Sequence, residues 1–161
     1  MGWRMSGGLA SMRYPYDADA DSSGNILVSQ YNRDGVKKFL YDTASMDTGF
    51  GYRGVSGKGN ARYEGNSNCR TSYSYSGETY NSIYYTTAYF ESAVVGIRTS
   101  DGRCMVKYNL GGRPYNMTID TGKIFVGGSF GYKVIDINSG QIRNCGSVNN
   151  NLRYSLSLIH I

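Results

Sequence analysis

The chain of 161 residues has one histidine, two prolines and three cysteines, and charged residues make up only 18% of it. The sole histidine is His160, so Ser-His-Asp and Cys-His nucleophilic chemistry lacks its base. Cys69, Cys104 and Cys145 stand far apart and form no Cys-x-x-Cys, so the usual zinc ligand set cannot be assembled. Three cysteines fit one disulfide plus a free thiol, or three buried thiols, and the count alone does not fix the redox compartment. No run reaches the ~18 apolar residues of a membrane-spanning helix, so no membrane insertion is expected. Met1 to Ala10 has no apolar core long enough for a signal peptide. The net charge of +5 is scattered from Arg13 and Arg33 to Arg153 without a basic run, which reads as a solvated basic surface and not as a nucleic-acid footprint. No segment sustains a helical period.

What is abundant is tyrosine, 16 residues, and glycine, 22 residues. Tyrosine rings pack well on pleated surfaces. Glycine supplies the turns that many short strands need. The pair points to an all-β class.

Internal repetition sharpens that class. Pro15-Tyr16-Asp17 leads through Asp21 to Gly24-Asn25-Ile26-Leu27-Val28, and Pro114-Tyr115-Asn116 leads through Asp120 to Gly122-Lys123-Ile124-Phe125-Val126. Val36 follows Val28 by eight residues, as Val134 follows Val126, and Phe39 and Ile137 follow three later. A weaker copy sets Ile83-Tyr84-Tyr85 in place of Ile-apolar-Val, with Val94 and Ile97 after it. Each unit reads as a strand opened by proline, a polar turn, an apolar strand covered on both faces, a second turn and a further strand. Asp21 to Asn25 and Asp120 to Lys123 are the first turns of the outer two units.

This pattern resembles the NHL and YVTN class of β-propeller repeats, and one stretch is similar to the gluconolactonase (SMP-30-like) propellers. The resemblance runs roughly from residue 7 to 148. It implies a partial β-propeller of two to three four-stranded antiparallel blades, at roughly 7–48, 69–109 and 110–148, with an insert loop at 49–68. A full propeller has four to eight blades, so the remainder of a longer propeller chain, or further copies, is expected as a partner. The tail from residue 149 departs in composition from everything before it. Ser155 to Ile161 resembles the translated adapter tails that end some metagenomic reading frames, and the tail is set aside as non-native.

Three constellations bear on chemistry. Gly49-Phe50-Gly51-Tyr52-Arg53-Gly54 matches a dinucleotide-binding spacing, but its flanks offer neither the preceding strand nor the following helix, so it reads as a surface loop. Asp17, Asp19 and Asp21 alternate with alanines and share one face of a strand, an arrangement that a cation such as Ca2+ would relieve. The blander reading gives one of them a turn to cap and the others solvent or basic partners. In gluconolactonase-like propellers the residue after the proline supplies a metal-binding acid; Tyr16 and Tyr115 stand there, so a metal-dependent hydrolase or lyase lacks that ligand.

The third constellation is aromatic and cationic. By resemblance, propeller ligands meet loops at one end of the channel. Tyr31, Arg33, Tyr52, Arg53, Lys58, Arg62, Tyr63, Tyr89 and Phe130 fall in such connections and are of the residue types enriched at binding hot spots. The expectation is a non-catalytic binding module that recognises a protein or glycan through rim loops, without a cofactor. The rivals are a lactonase-like enzyme and a purely structural repeat of a surface protein. A balance rich in Tyr, Asn, Ser and Gly suits an extracellular or cell-surface location.

Overall fold

The computed structural model describes residues 14–31, 35–51, 71 and 73–146. Within them the chain is all-β and contains no helix. Three antiparallel sheets follow one another along the sequence, each an up-and-down meander. The first holds β1 (Pro15–Ala20), β2 (Ile26–Gln30) and β3 (Val36–Phe39). The second holds β4 (Gly77–Tyr80), β5 (Ile83–Ala88), β6 (Ala93–Arg98) and β7 (Cys104–Asn109). The third holds β8 (Pro114–Asp120), β9 (Lys123–Gly128), β10 (Gly131–Asp136) and β11 (Ile142–Gly146). These are three consecutive blades of a partial β-propeller.

Among the described residues the first blade has three strands, one fewer than expected. Its outer strand is a single bridge, Phe39 to Met46, closed by Leu40 N–H to Ser45 O at 2.9 Å. The chain then turns inward, and Phe50 is buried between the first two blades. The start of the segment read as a surface loop is therefore anchored in the core, and the Gly51 amide donates to the Asp101 carbonyl at 2.9 Å. Residues 52–68 of that insert lie outside the described residues.

The turns are set by local chemistry. Thr121 and Gly122 both have positive φ, at 45° and 76°, and join β8 to β9 as a two-residue hairpin whose backbone twist matches its strands. Asn81 and Ser82 repeat that form between β4 and β5. The longer first turn is organised by Asp21, whose Oδ1 accepts the Ser23 and Asn25 amides at 2.9 Å each.

The core is two inter-blade layers. Leu27, Val36, Phe50, Tyr84, Ala88, Ala93, Val95, Ile97 and Cys104 fill the space between blades one and two. Tyr85, Val94, Tyr108, Leu110, Met117, Ile124, Val126 and Ile135 fill that between blades two and three. The alternation is period two: Tyr84 faces one neighbour and Tyr85 the other, and Val95 and Val94 do likewise. Both faces of the middle blade are thus covered, which explains its near-continuous apolar strands.

The solvated-surface reading of the basic residues fails at Lys37 and Lys38, which are both buried on β3. Lys38 Nζ donates to the Thr99 carbonyl at 2.7 Å and pairs with Asp21 at 3.3 Å, so its charge is met inside the core.

Side chains on the inner strands join the blades. Asp17 Oδ2 accepts from Ser76 Oγ at 2.9 Å and from the Gly77 amide at 3.0 Å, and Asp19 Oδ2 accepts the Thr79 amide at 2.7 Å. One blade further on, Glu78 Oε2 accepts the Ile119 amide at 2.8 Å, and Ser76 Oγ also contacts the Met117 carbonyl at 3.2 Å. Acceptors on one inner strand thus satisfy unpaired backbone donors on the next.

Candidate functional site: an aromatic rim

At one end of the blades the sequence places a tyrosine at each inner strand: Tyr16 after Pro15, Tyr75 ahead of β4, and Tyr115 after Pro114. The connections from second to third strand bring Tyr31 in blade one, Tyr89 and Phe90 in blade two, and Phe130 in blade three. Tyr73 precedes β4, and Arg113 lies between β7 and β8.

Seven of these rings form one continuous cluster. Tyr75 is its hub, with ring centroids 5.0 Å from Tyr16, 4.8 Å from Tyr31, 5.4 Å from Tyr89 and 6.2 Å from Tyr115. Tyr73 meets Tyr31 at 4.9 Å and Phe90 at 4.6 Å. Most pairs are edge-to-face, the arrangement in which the positive edge of one ring meets the negative face of another. Packing among the rings and neighbouring phenols raises the Tyr75 hydroxyl's pKa, burial being the larger cause. Arg113 stacks over Tyr89 at 5.0 Å and Phe90 at 5.8 Å, and its guanidinium donates to the Tyr89 hydroxyl at 3.2 Å.

Beneath the rim lies a network of buried hydroxyls. Ser29 Oγ bonds Tyr84 Oη at 2.8 Å and Thr86 Oγ1 at 3.0 Å, and Thr86 Oγ1 is also bonded to Ser74 Oγ. Thr87 Oγ1 accepts the Tyr75 and Ser76 amides at 3.0 and 3.1 Å. These bonds fix the segment that carries Tyr73 and Tyr75. The rim is open where it matters: Tyr16 is 56% exposed and Phe90 55%.

Of the residues singled out in the sequence, Tyr31 and Tyr89 are brought together in this cluster, their centroids 6.4 Å apart. Phe130 occupies the equivalent connection of blade three, with Lys133 Nζ 5.0 Å from its ring centre. Arg33, Tyr52, Arg53, Lys58, Arg62 and Tyr63 lie outside the described residues. Asp17 and Asp19 reach the second blade as described, and Asp21 serves its turn and Lys38. Burial pushes the Asp21 carboxyl up, but hydrogen bonds from Asn25, Ser23 and Lys38 outweigh it and the pKa falls below the usual value. Among the described residues no group of three or more His, Cys, Asp or Glu side chains is placed to hold a metal ion.

The sequence alone does not single out Tyr16, Tyr73, Tyr75, Arg113 or Tyr115 as binding residues. The recurrence of Pro-Tyr at equivalent strand starts was the available signal. Cys104 is disulfide-bonded, and Cys145 is a free, exposed thiol on β11.

No protein-family profile matches the chain, and no curated protein does. Solved structures do. Hydrazine synthase of Kuenenia stuttgartiensis matches with a TM-score of 0.61 at 11% identity, over 83% of this chain and 35% of that one. The extracellular domain of a putative one-component system from B. thetaiotaomicron matches with a TM-score of 0.59 at 14% identity, over 89% of this chain and 16% of that one. A computationally designed protein, Ika8, matches with a TM-score of 0.54 at 14% identity, over 77% and 33%. At such identities the likeness is one of fold. The chain spans about a third or less of the length of each.

Proposed function

We propose that this chain is a non-catalytic binding module of the NHL/YVTN propeller-repeat type, recognising a glycan or protein ligand through its aromatic rim. The observation that carries this reading is the convergence of rings from all three blades with one exposed guanidinium, on a scaffold held rigid from below. Tyrosine and arginine give large contact area at low entropic cost and dominate binding hot spots. The position that would carry a metal-binding acid in lactonase-like propellers carries a rim tyrosine here, which favours recognition over metal-assisted hydrolysis and invokes no cofactor. Further blades of a longer chain would complete the ring.

The disulfide at Cys104 supports an extracellular or cell-surface setting, since such bonds persist in oxidising compartments.

The test is a panel of immobilised glycans and peptides probed with the wild type and with the Tyr16→Ala/Phe90→Ala double variant. Both rings are more than half exposed, so the sheet's circular dichroism is expected to stay unchanged. At least one panel member should bind the wild type and bind the double variant about tenfold or more weakly, the effect of losing one or two hot-spot rings. Binding that the double variant retains in full, or no binding to any panel member, contradicts the reading.

A further inference from the structure

Among the described residues the Arg113 guanidinium meets no acid: its contacts are the rings of Tyr89 and Phe90 and the Tyr89 hydroxyl, all neutral. The other cations near the rim are engaged: Lys107 pairs with Glu91 at 3.1 Å, and Lys133 donates to the Leu110 carbonyl at 2.6 Å. Among the described residues the rim therefore presents one uncompensated, exposed, planar cation at the margin of seven aromatic rings.

Four described amides of the rim are already satisfied. The Tyr31 amide donates to Tyr14 O at 3.0 Å, Ser74 to Gln30 O at 2.9 Å, Tyr89 to Tyr73 O at 3.4 Å, and Ser129 to Arg113 O at 2.9 Å. Those amides offer an incoming peptide strand no free donor. What the rim offers is ring faces, phenol hydroxyls and one guanidinium. Ring faces suit the apolar C–H face of a pyranose, phenols suit its hydroxyls, and guanidinium forks onto a carboxylate. A nucleic acid carries a charge at every phosphate and is usually met by many cations; the one guanidinium among the described rim residues fits a sparser anion.

We infer that the rim binds an acidic glycan, with Arg113 receiving a sugar carboxylate while the tyrosines stack on neighbouring rings. This deepens the proposed function and rests on it.

The experiment titrates the full chain, with its tyrosine rings isotopically labelled for NMR, against four probes at one ionic strength: an oligogalacturonate, a neutral cello-oligosaccharide, an acidic peptide and a single-stranded oligonucleotide. The oligogalacturonate is expected to shift the rim tyrosine signals saturably, and to bind about tenfold more tightly than the neutral oligosaccharide, as one charge-assisted contact would give. Arg113→Gln is expected to abolish that preference, so that the acidic and the neutral sugar bind the variant alike. Equal affinity for both sugars, or a preference that survives Arg113→Gln, overturns the inference. Tighter rim binding by the peptide or the oligonucleotide also overturns it while leaving a binding rim in place. If no probe shifts the rim signals, both the inference and the proposed function fall.

Discussion

The carboxylate of Asp19 accepts the backbone amide of Thr79 at 2.7 Å across the boundary between the first two blades. Glu78 repeats the contact one blade later, to the amide of Ile119 at 2.8 Å. The same device therefore occurs at two successive boundaries, where an acidic side chain stands in for the missing neighbour of a strand edge.

That equivalence gives the first prediction. A hydrogen bond to a charged acceptor contributes about 1.5–3 kcal/mol, so Asp19→Ala and Glu78→Ala should each lower unfolding free energy by about 1–2 kcal/mol. Asp19 bonds the peptide group that joins Glu78 to Thr79, so the two contacts are coupled through β4 and the double variant should depart from the sum of the singles by about 0.5 kcal/mol or more. Urea unfolding of the single and double variants reads both. A change below about 0.3 kcal/mol for either would mean that the contact is incidental.

Lys38 should be less forgiving. Lys38→Met keeps the stem's bulk but leaves the buried Asp21 carboxylate and Thr99 carbonyl without their donor. Breaking a buried pair by removing one partner costs about 3–5 kcal/mol, and thermal unfolding should report a loss in that range. A neutral result would show the ammonium to be solvated.

Stability against pH follows from the shifted groups. Burial pushes the Tyr85 hydroxyl up to about 12, and burial raises Tyr84 and Tyr108 as well. These folded values lie above the unfolded value of 10, so the stabilisation is whole below pH 10 and drains away as pH climbs towards 12. In acid the sign reverses. The Arg98 guanidinium holds the Asp101 carboxyl near 2, so its contribution is present above pH 3.8 and is lost as pH falls towards 2. Phenolate absorbance recorded beside circular dichroism should show a fraction of the tyrosines ionising only as the sheet signal collapses. If every tyrosine titrates near 10 with the fold intact, the buried assignments are wrong.

Thiol chemistry separates the cysteines. Cys145 should react with iodoacetamide in the folded protein, whereas Cys104 should react only after reduction. Reduction should lower unfolding free energy by about 2–4 kcal/mol. Labelling of Cys104 without reductant would remove both the bond and the compartment argument.

The repeat was legible because its outer copies keep the same offsets. Val28 to Val36 and Val126 to Val134 both span eight residues, and the strands fall where those offsets require. Reading Ile83-Tyr84-Tyr85 as Ile-apolar-Val sets the middle copy one residue out: Ile83 packs towards blade three, and Ile124 is in the layer between blades two and three from the other side. Tyr84 and Thr86 are the true counterparts, and Thr86 lies eight residues before Val94. A one-residue slip exchanges the two faces of a strand, and the broken offset was the clue. The apolar pattern misled because Thr86 and Ser29 are buried polar residues satisfied by each other, a pairing visible only in three dimensions. The burial of Lys38 was hidden for the same reason, since Asp21 and Thr99 reach it from distant parts of the sequence. The rim was half legible: the connections gave Tyr31 and Tyr89, but their joining to Tyr16, Tyr75 and Tyr115 depends on how blades stack.

Three blades jointly build one aromatic surface, which ring-to-ring nuclear Overhauser effects read out. In a chain with labelled tyrosines, cross-peaks should link Tyr16 to Tyr75 and Tyr75 to Tyr115, whose centroids lie 5.0 and 6.2 Å apart. Cross-peaks confined to tyrosines of the same blade would contradict it.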